Sequence, residues 1–285
     1  MFLSTSNEIQ VFDVSNAPTL LGGLPTGYSG YSDTRFSPDG NLLYFAGTKI
    51  TEVFDLQARL FTNSVPLPVY AQKLAVSRDG GRLVVVGQGP GPHGSTLSLV
   101  DPGTRAVTRT VSIPGLDVPY DVALRPDGRR AYLAGLNADS GTVDQGPPVF
   151  AVDLDGGAVT RVPVPKGQVA VLDSTAHLAL SPDGARLYVG HSLDTVVLDT
   201  ATNAVLAHID APPGAGDLVV APSGRWLYQL DGVDGTIQVY SADGNHVSSG
   251  RSGPFPKSPR FSADGRRLYL LTQDKLVIVD TADFS

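Results

Sequence analysis

Six polar residues recur at one offset, seven positions ahead of a glycine that closes a Ser-Pro-Asp-Gly-like turn: Asp33, Lys73, Asp121, His177, Asp217 and Ser258. The glycines are Gly40, Gly80, Gly128, Gly184, Gly224 and Gly265. Each polar residue opens a mostly apolar stretch, and Arg35 and Arg260 stand two residues further on, pointing to the same side. Charges of both signs converging on one spot suit a small ligand or an ion. With Asp121 or Asp217 beside it, His177 could serve as an acid–base group. His191, further along the same repeat, could join His177 in holding a divalent cation. The plain alternative is a lining that binds only water, with the two histidines merely on the surface.

These positions are set by a repeat. Phe36-Ser37-Pro38-Asp39-Gly40 returns as Val76-Ser77-Arg78-Asp79-Gly80, Leu124-Arg125-Pro126-Asp127-Gly128, Leu180-Ser181-Pro182-Asp183-Gly184, Val220-Ala221-Pro222-Ser223-Gly224 and Phe261-Ser262-Ala263-Asp264-Gly265. A period of forty residues or more marks a repeat architecture. Ahead of each echo lies an alternating stretch such as His177-Leu178-Ala179-Leu180, the mark of a half-buried strand. The tetrad itself is a tight turn: proline presets φ, aspartate bonds nearby backbone and glycine supplies a positive φ. A second strand follows, for example Leu187-Tyr188-Val189. A third ends in aspartate at Asp55, Asp101, Asp153, Asp199 and Asp280, and a fourth, such as Val205–Ile209, leads to the next echo. The segment 52–60, the one stretch with a helical hint, reads in this register as a strand, a turn at Gln57-Ala58-Arg59 and another strand.

Four antiparallel strands per unit, repeated radially, is the plan of an all-β β-propeller. Labelled A to D from the axis outward, with the echo in the B–C turn, one domain over 1–285 divides into blades at 17–57, 58–101, 105–153, 157–199, 203–241 and 245–282. Residues 1–14 supply the last two strands of a further blade. The ring then has seven positions with one half-blade, or six blades and a leftover hairpin. A two-stranded blade leaves an unpaired edge, which calls for upstream residues or a partner strand.

Composition narrows the function classes. Glycine (32) and proline (22) make up nearly a fifth of the 285 residues, which suits short strands and many turns. Net charge is −7, with lysine and arginine scattered singly, so nothing offers a phosphate backbone the basic stripe it requires. No apolar run is long enough for a membrane-spanning helix. Cysteine is absent, which excludes disulfides and thiolate metal sites. The N-terminus has neither the basic nor the long apolar region of a signal peptide.

Loop lengths break the symmetry between the two faces. The tetrads and the turns after the third strands are short. The connections 87–95, 136–148, 66–71, 114–119, 163–176, 211–216 and 250–256 are longer, share the other face, and are where binding is expected. The polar ring opens on that same face. Gly89-Pro90-Gly91-Pro92-His93-Gly94 matches G-x-G-x-x-G in letters only: a strand follows it where a dinucleotide loop needs a helix N-terminus, and its prolines remove donors. Asn137, Asp139, Asp144 and Gln145 form an acidic loop whose spacing fits no calcium loop. Trp226 is expected to pack between blades.

The tetrad followed by an aromatic strand and then Val-Val-Leu-Asp-Thr-Ala-Thr-Asn-Ala-Val (Val196–Val205) resembles the YVTN/YncE-like β-propeller repeats. The pattern shades into the lactonase-type propellers, which resemble 6-phosphogluconolactonase. The resemblance covers essentially the whole chain and implies seven blades and an exported or envelope-associated protein. The lactonase-type likeness implies a histidine at the position of His177, while Lys73, Asp121 and Asp217 stand where other blades would carry one. The expectation is a non-enzymatic platform, without cofactor, that engages a protein, peptide or glycan through the long-loop face. The alternative is a hydrolase or isomerase acting on a small lactone through His177, Asp121 and Asp217.

Overall fold

The computed structural model describes residues 2–4, 8–13, 19–25, 32–62, 64–89, 93–136, 147–165, 176–191, 194–211, 215–262, 264–273 and 275–281. Two compact units divide the chain, Met1–Ser112 and Ile113–Ser285. Among the described residues every regular element is a strand, so none is a helix able to cross a membrane.

The second unit carries the repeat in its clearest form. Three four-stranded antiparallel sheets follow one another, each in simple chain order. The first comprises Val118–Leu124, Arg130–Leu136, Val149–Asp153 and Val159–Val162. The second comprises Ala176–Leu180, Arg186–His191, Asp194–Asp199 and Val205–Asp210. The third comprises Ala215–Val220, Trp226–Asp231, Thr236–Ser241 and His246–Arg251. A three-stranded sheet of Lys257–Phe261, Arg267–Leu271 and Leu276–Asp280 ends the unit. These sheets are propeller blades, and the opening strands of successive blades pack on one another.

The strands group differently from the sequence boundaries. Val205–Asp210, read as the opening strand of blade 203–241, is bonded to Asp194–Asp199 as the closing strand of the blade before it. Blades therefore run 118–162, 176–210 and 215–251, and the tetrad joins a blade's first and second strands. Alternation locates a strand but does not say which of two neighbours its edge will bond. The same shift enlarges the N-terminal half-blade: Thr19–Pro25 pairs with Glu8–Asp13, which pairs with Phe2–Ser4, giving a three-stranded sheet.

In the first unit, Leu42–Asp55 doubles back at Lys49, whose φ is 56°, and Leu56 N–H closes it on Asn41 O at 3.0 Å. Val65–Val76 pairs with Leu42–Asp55 near its start and with Leu83–Gln88 further on, so the strands from Thr34 to Ile113 form one sheet. The segment 52–60 ends a strand at Asp55 and turns at 56–59, with Arg59 at φ 55°.

The turns explain the echo. Ser181 Oγ donates to Asp183, Arg186 N–H donates back to Ser181 Oγ at 2.9 Å, and Gly184 N–H closes on Ser181 O at 2.8 Å. Ser37, Ser77 and Ser262 repeat this arrangement with Asp39, Asp79 and Asp264. The tetrad glycines have φ of 67–73°, a backbone that glycine adopts at no steric cost. The aspartates that end third strands cap the next turn: Asp199 accepts from Ala201 and Thr202 N–H at 3.0 and 2.8 Å. Between blades the core is apolar. Tyr188, Val197, Leu218, Leu227 and Tyr240 form one such layer, and Tyr228, Leu230, Val239, Leu268 and Leu270 the next. Trp226 packs on that second layer, as expected of an inter-blade residue.

Candidate functional site

Asp33, Asp121 and Asp217, at or near the starts of first strands, do not stand free. In the first unit Asp33 Oδ1 accepts from Thr34 N–H at 2.8 Å and from the Arg35 guanidinium, while its Oδ2 accepts from Leu74 N–H at 3.0 Å. Leu74 is the residue after Lys73, so Asp33 clamps the start of the following blade. In the second unit Asp121 does the same: Oδ1 accepts from Val122 N–H at 2.8 Å and Oδ2 from Leu178 N–H, just past His177, at 2.9 Å. Asp217 Oδ2 accepts from Ser258 N–H at 2.6 Å. Each carboxylate thus fastens one blade to the next through a backbone donor.

Asp217 departs from this pattern with its second oxygen, which meets His177 Nδ1 from the preceding blade at 2.8 Å. Both side chains are about a quarter exposed. Burial pushes the Asp217 carboxyl up, but the His177 hydrogen bond and charge, the Ser258 N–H and the Arg260 guanidinium outweigh it and hold the group at about 2. Asp217 is therefore ionised across the neutral range and orients the imbidazole ring through Nδ1. Arg260 donates to Pro259 O at 2.8 Å and Arg35 to Thr34 O at 2.9 Å, the same local bond in both units.

The structure separates the two histidines proposed as a metal pair. His177 is level with Gly190 and His191 with Ala176, so alternation puts them on opposite faces of their sheet. His177 turns toward blade 215–251 through Asp217, whereas His191 follows Leu187 and Val189 on the face packed against blade 118–162. Among the described residues no group of three or more His, Asp or Glu side chains is placed to hold a metal ion. The acidic loop 137–145 and Pro90–Pro92 lie outside the described residues, as do parts of the long connections 136–148, 163–176 and 211–216.

Sequence reasoning missed several polar groups in second and third strands. Asp194 is buried and pairs with His208 Nδ1 at 3.1 Å. Its Oδ1, the Asp231 Oδ2 and the Gln229 Nε2 are buried with no hydrogen-bond partner among the described residues. Asp194 gave no local signal, because Ser95 and Thr236 also open their strands with a polar residue. A signal was available for Gln229, which stands where the other repeats carry Phe45, Val85, Leu133, Val189 and Leu270.

A groove of about 660 Å³ lies at the tetrad end of blades 176–210 and 215–251, away from His177 and Asp217. Arg186 crosses it, donating to Ala242 O at 2.7 Å and Asp243 at 3.0 Å, and Tyr188 O–H reaches Ala242 O at 3.4 Å. Arg130 and Tyr132 make the same staple to Thr200 O one blade earlier, so this groove is framed by repeated structural contacts.

A search of protein-family models finds no match. Over 173 residues the chain is 28% identical to the seven-bladed beta-propeller protein Rv1057 of Mycobacterium tuberculosis, a match covering 58% of this chain and 39% of that protein. The chain thus spans well under two thirds of that relative. Among solved structures, Kuenenia stuttgartiensis hydrazine synthase superposes with a TM-score of 0.81 at 16% identity, covering 99% of this chain and 92% of that one. The curated relative is a seven-bladed propeller, and the chain has the β-propeller fold.

Proposed function

We propose that this propeller is a non-enzymatic binding platform that engages a protein, peptide or glycan through the connections opposite its tetrad turns. The observation that carries this reading is the engagement of Asp33, Asp121 and Asp217 by backbone N–H groups of the following blade. Carboxylates so held are structural clamps, and they leave the polar ring short of the free acid and base that hydrolysis needs. The polar atoms of Asp194 and Asp231 without partners among the described residues, at the ends of their strands, add to it. Fold alone does not select a function, since propellers host many. The finer assignment to YVTN/YncE-like repeats belongs to this proposal and rests on the Val196–Val205 pattern.

One observation favours the second reading, a lactone hydrolase or isomerase. His177 and the ionised Asp217 form an oriented pair at 2.8 Å, the geometry of a general base and its positioning carboxylate. Turnover of a panel of sugar and dicarboxylate lactones, measured in parallel with His177→Ala, separates the two. The platform reading expects no turnover above the variant's background. Turnover that disappears in His177→Ala overturns it in favour of the enzyme.

A further inference from the structure

At one corner of the second unit three connections are bonded into a single surface. Ser252 N–H donates to Gly235 O at 2.9 Å and Gly253 N–H to the same oxygen at 3.3 Å, while Gln273 N–H donates to Pro254 O at 3.3 Å. The turn 232–235, the connection 252–256 and Gln273 therefore hold one another in place. Two large apolar side chains stand out from this corner into water, Val233 at 72% exposure and Phe255 at 63%.

Phe255 is held there against its backbone preference. Its φ is 51°, in the left-handed region that residues with a β-carbon avoid. Pro256 follows it, and a residue before proline favours extended backbone. Glycine would occupy this position without strain. An exposed, strained aromatic is stable here only because its neighbours fix it, and such positions gather at ligand clamps.

The rim is basic in a chain whose net charge is −7. Arg251, Lys257 and Lys275 are exposed, and none of them forms an ion pair among the described residues. The Lys275 side chain lies beside Gly253, Lys257 follows Phe255 by two residues, and Arg251 is level with Thr236 next to Gly235. Among the described residues of these three connections, Asp234 is the exposed acid.

We infer that this corner docks an acidic peptide segment of a partner protein, with an apolar side chain of the segment against Phe255 and Val233 and its carboxylates among Arg251, Lys257 and Lys275. The inference rests on the platform reading and names its partner class. Aromatic and arginine side chains are the ones that anchor protein interfaces, and opposite charge steers the encounter. Phenylalanine and valine carry no hydrogen-bonding group, so a glycan has its hydroxyls to satisfy and gains less here than an apolar side chain does.

The test is fluorescence anisotropy with a labelled peptide of alternating glutamate and leucine, its counterpart with lysine for glutamate, and labelled polygalacturonate. The acidic peptide is expected to saturate, to weaken as salt rises, and to lose about tenfold in affinity in Phe255→Gly, the scale of a lost aromatic anchor. Phe255→Gly keeps or raises the melting temperature, which separates lost contact from lost fold. Lys257→Glu with Lys275→Glu is expected to move the preference toward the lysine peptide. Equal binding of the two peptides, or no binding of either, overturns the inference. Polygalacturonate binding that Phe255→Gly leaves intact, with the acidic peptide no tighter, makes the corner a polyanion site and also overturns it. Lactone turnover that depends on His177 would defeat the platform reading by a separate readout.

Discussion

The two ends of the strands in the second unit obey different rules. At the tetrad end the same bonds are made again and again: Ser181 to Asp183 and Ser262 to Asp264, with the aspartate carboxyls drawn below their usual range first by the serine hydroxyl and then by backbone N–H groups. At the other end the described residues share the carboxylate clamp but differ from blade to blade in what surrounds it. Asp121 and Asp217 share a repeat position, yet Asp121 Oδ1 accepts from Val122 N–H while Asp217 Oδ1 meets His177 Nδ1. Phe255 and Ser258 adopt left-handed backbone there, with φ of 51° and 56°. Repetition in this chain marks what holds blades together, and departure from repetition marks where surface chemistry differs from blade to blade.

That contrast is open to attack at several points. Gly135→Ala should do the most damage, although it lies at the irregular end: a β-carbon would sit 2.0 Å from Val118 O, a backbone atom with nowhere to go. A loss beyond about 4 kcal/mol, the range of severe core lesions, is expected in urea denaturation. A tolerated alanine would mean that the framework under the loops is softer than the tetrad end.

Asp121→Ala strands the Val122 and Leu178 N–H groups and should cost about 3 kcal/mol by the same assay. A cost no greater than that of an exposed aspartate would remove the clamp from the account. Asp217 adds a pH signature to the comparison. Its folded value, about 2, lies below the unfolded value, so its contribution is present above about pH 4 and is lost as pH falls toward 2. The size is roughly 2 kcal/mol, from the shift in pKa. Asp217→Asn should flatten that part of the acid-denaturation curve, and superimposable curves would contradict the ion pair.

Ser181→Ala removes one repeated turn bond and should lower stability by about 1 kcal/mol. Phe255→Gly should have the smallest effect and the opposite sign, a gain of up to about 1 kcal/mol as left-handed strain is relieved. A clear loss of stability there would show that the ring packs inward and would erase the contrast between the two ends.

Much of the fold was legible because turn chemistry is local. Asp183 and Gly184 declare their turn within four residues, and the alternation in His177–Leu180 declares its strand. Blade boundaries were not legible in the same way. Val205–Asp210 has two possible neighbours, and its own alternation does not say which one it bonds. For the site, the offset of seven residues found Asp33, Asp121 and Asp217 but not their partners. Leu74, Leu178 and Ser258 contribute backbone N–H groups, which every residue but proline has. The left-handed backbone of Phe255 was hidden for the converse reason, because Pro-Phe-Pro reads as extended chain.

The most direct test of the account is amide hydrogen exchange across the protein with and without the glutamate–leucine peptide. Protection confined to 232–235, 252–258 and 271–275, with the tetrad turns at 181–184, 221–224 and 262–265 unchanged, is the result the account predicts. Protection centred on the tetrad turns, or none anywhere, would contradict it.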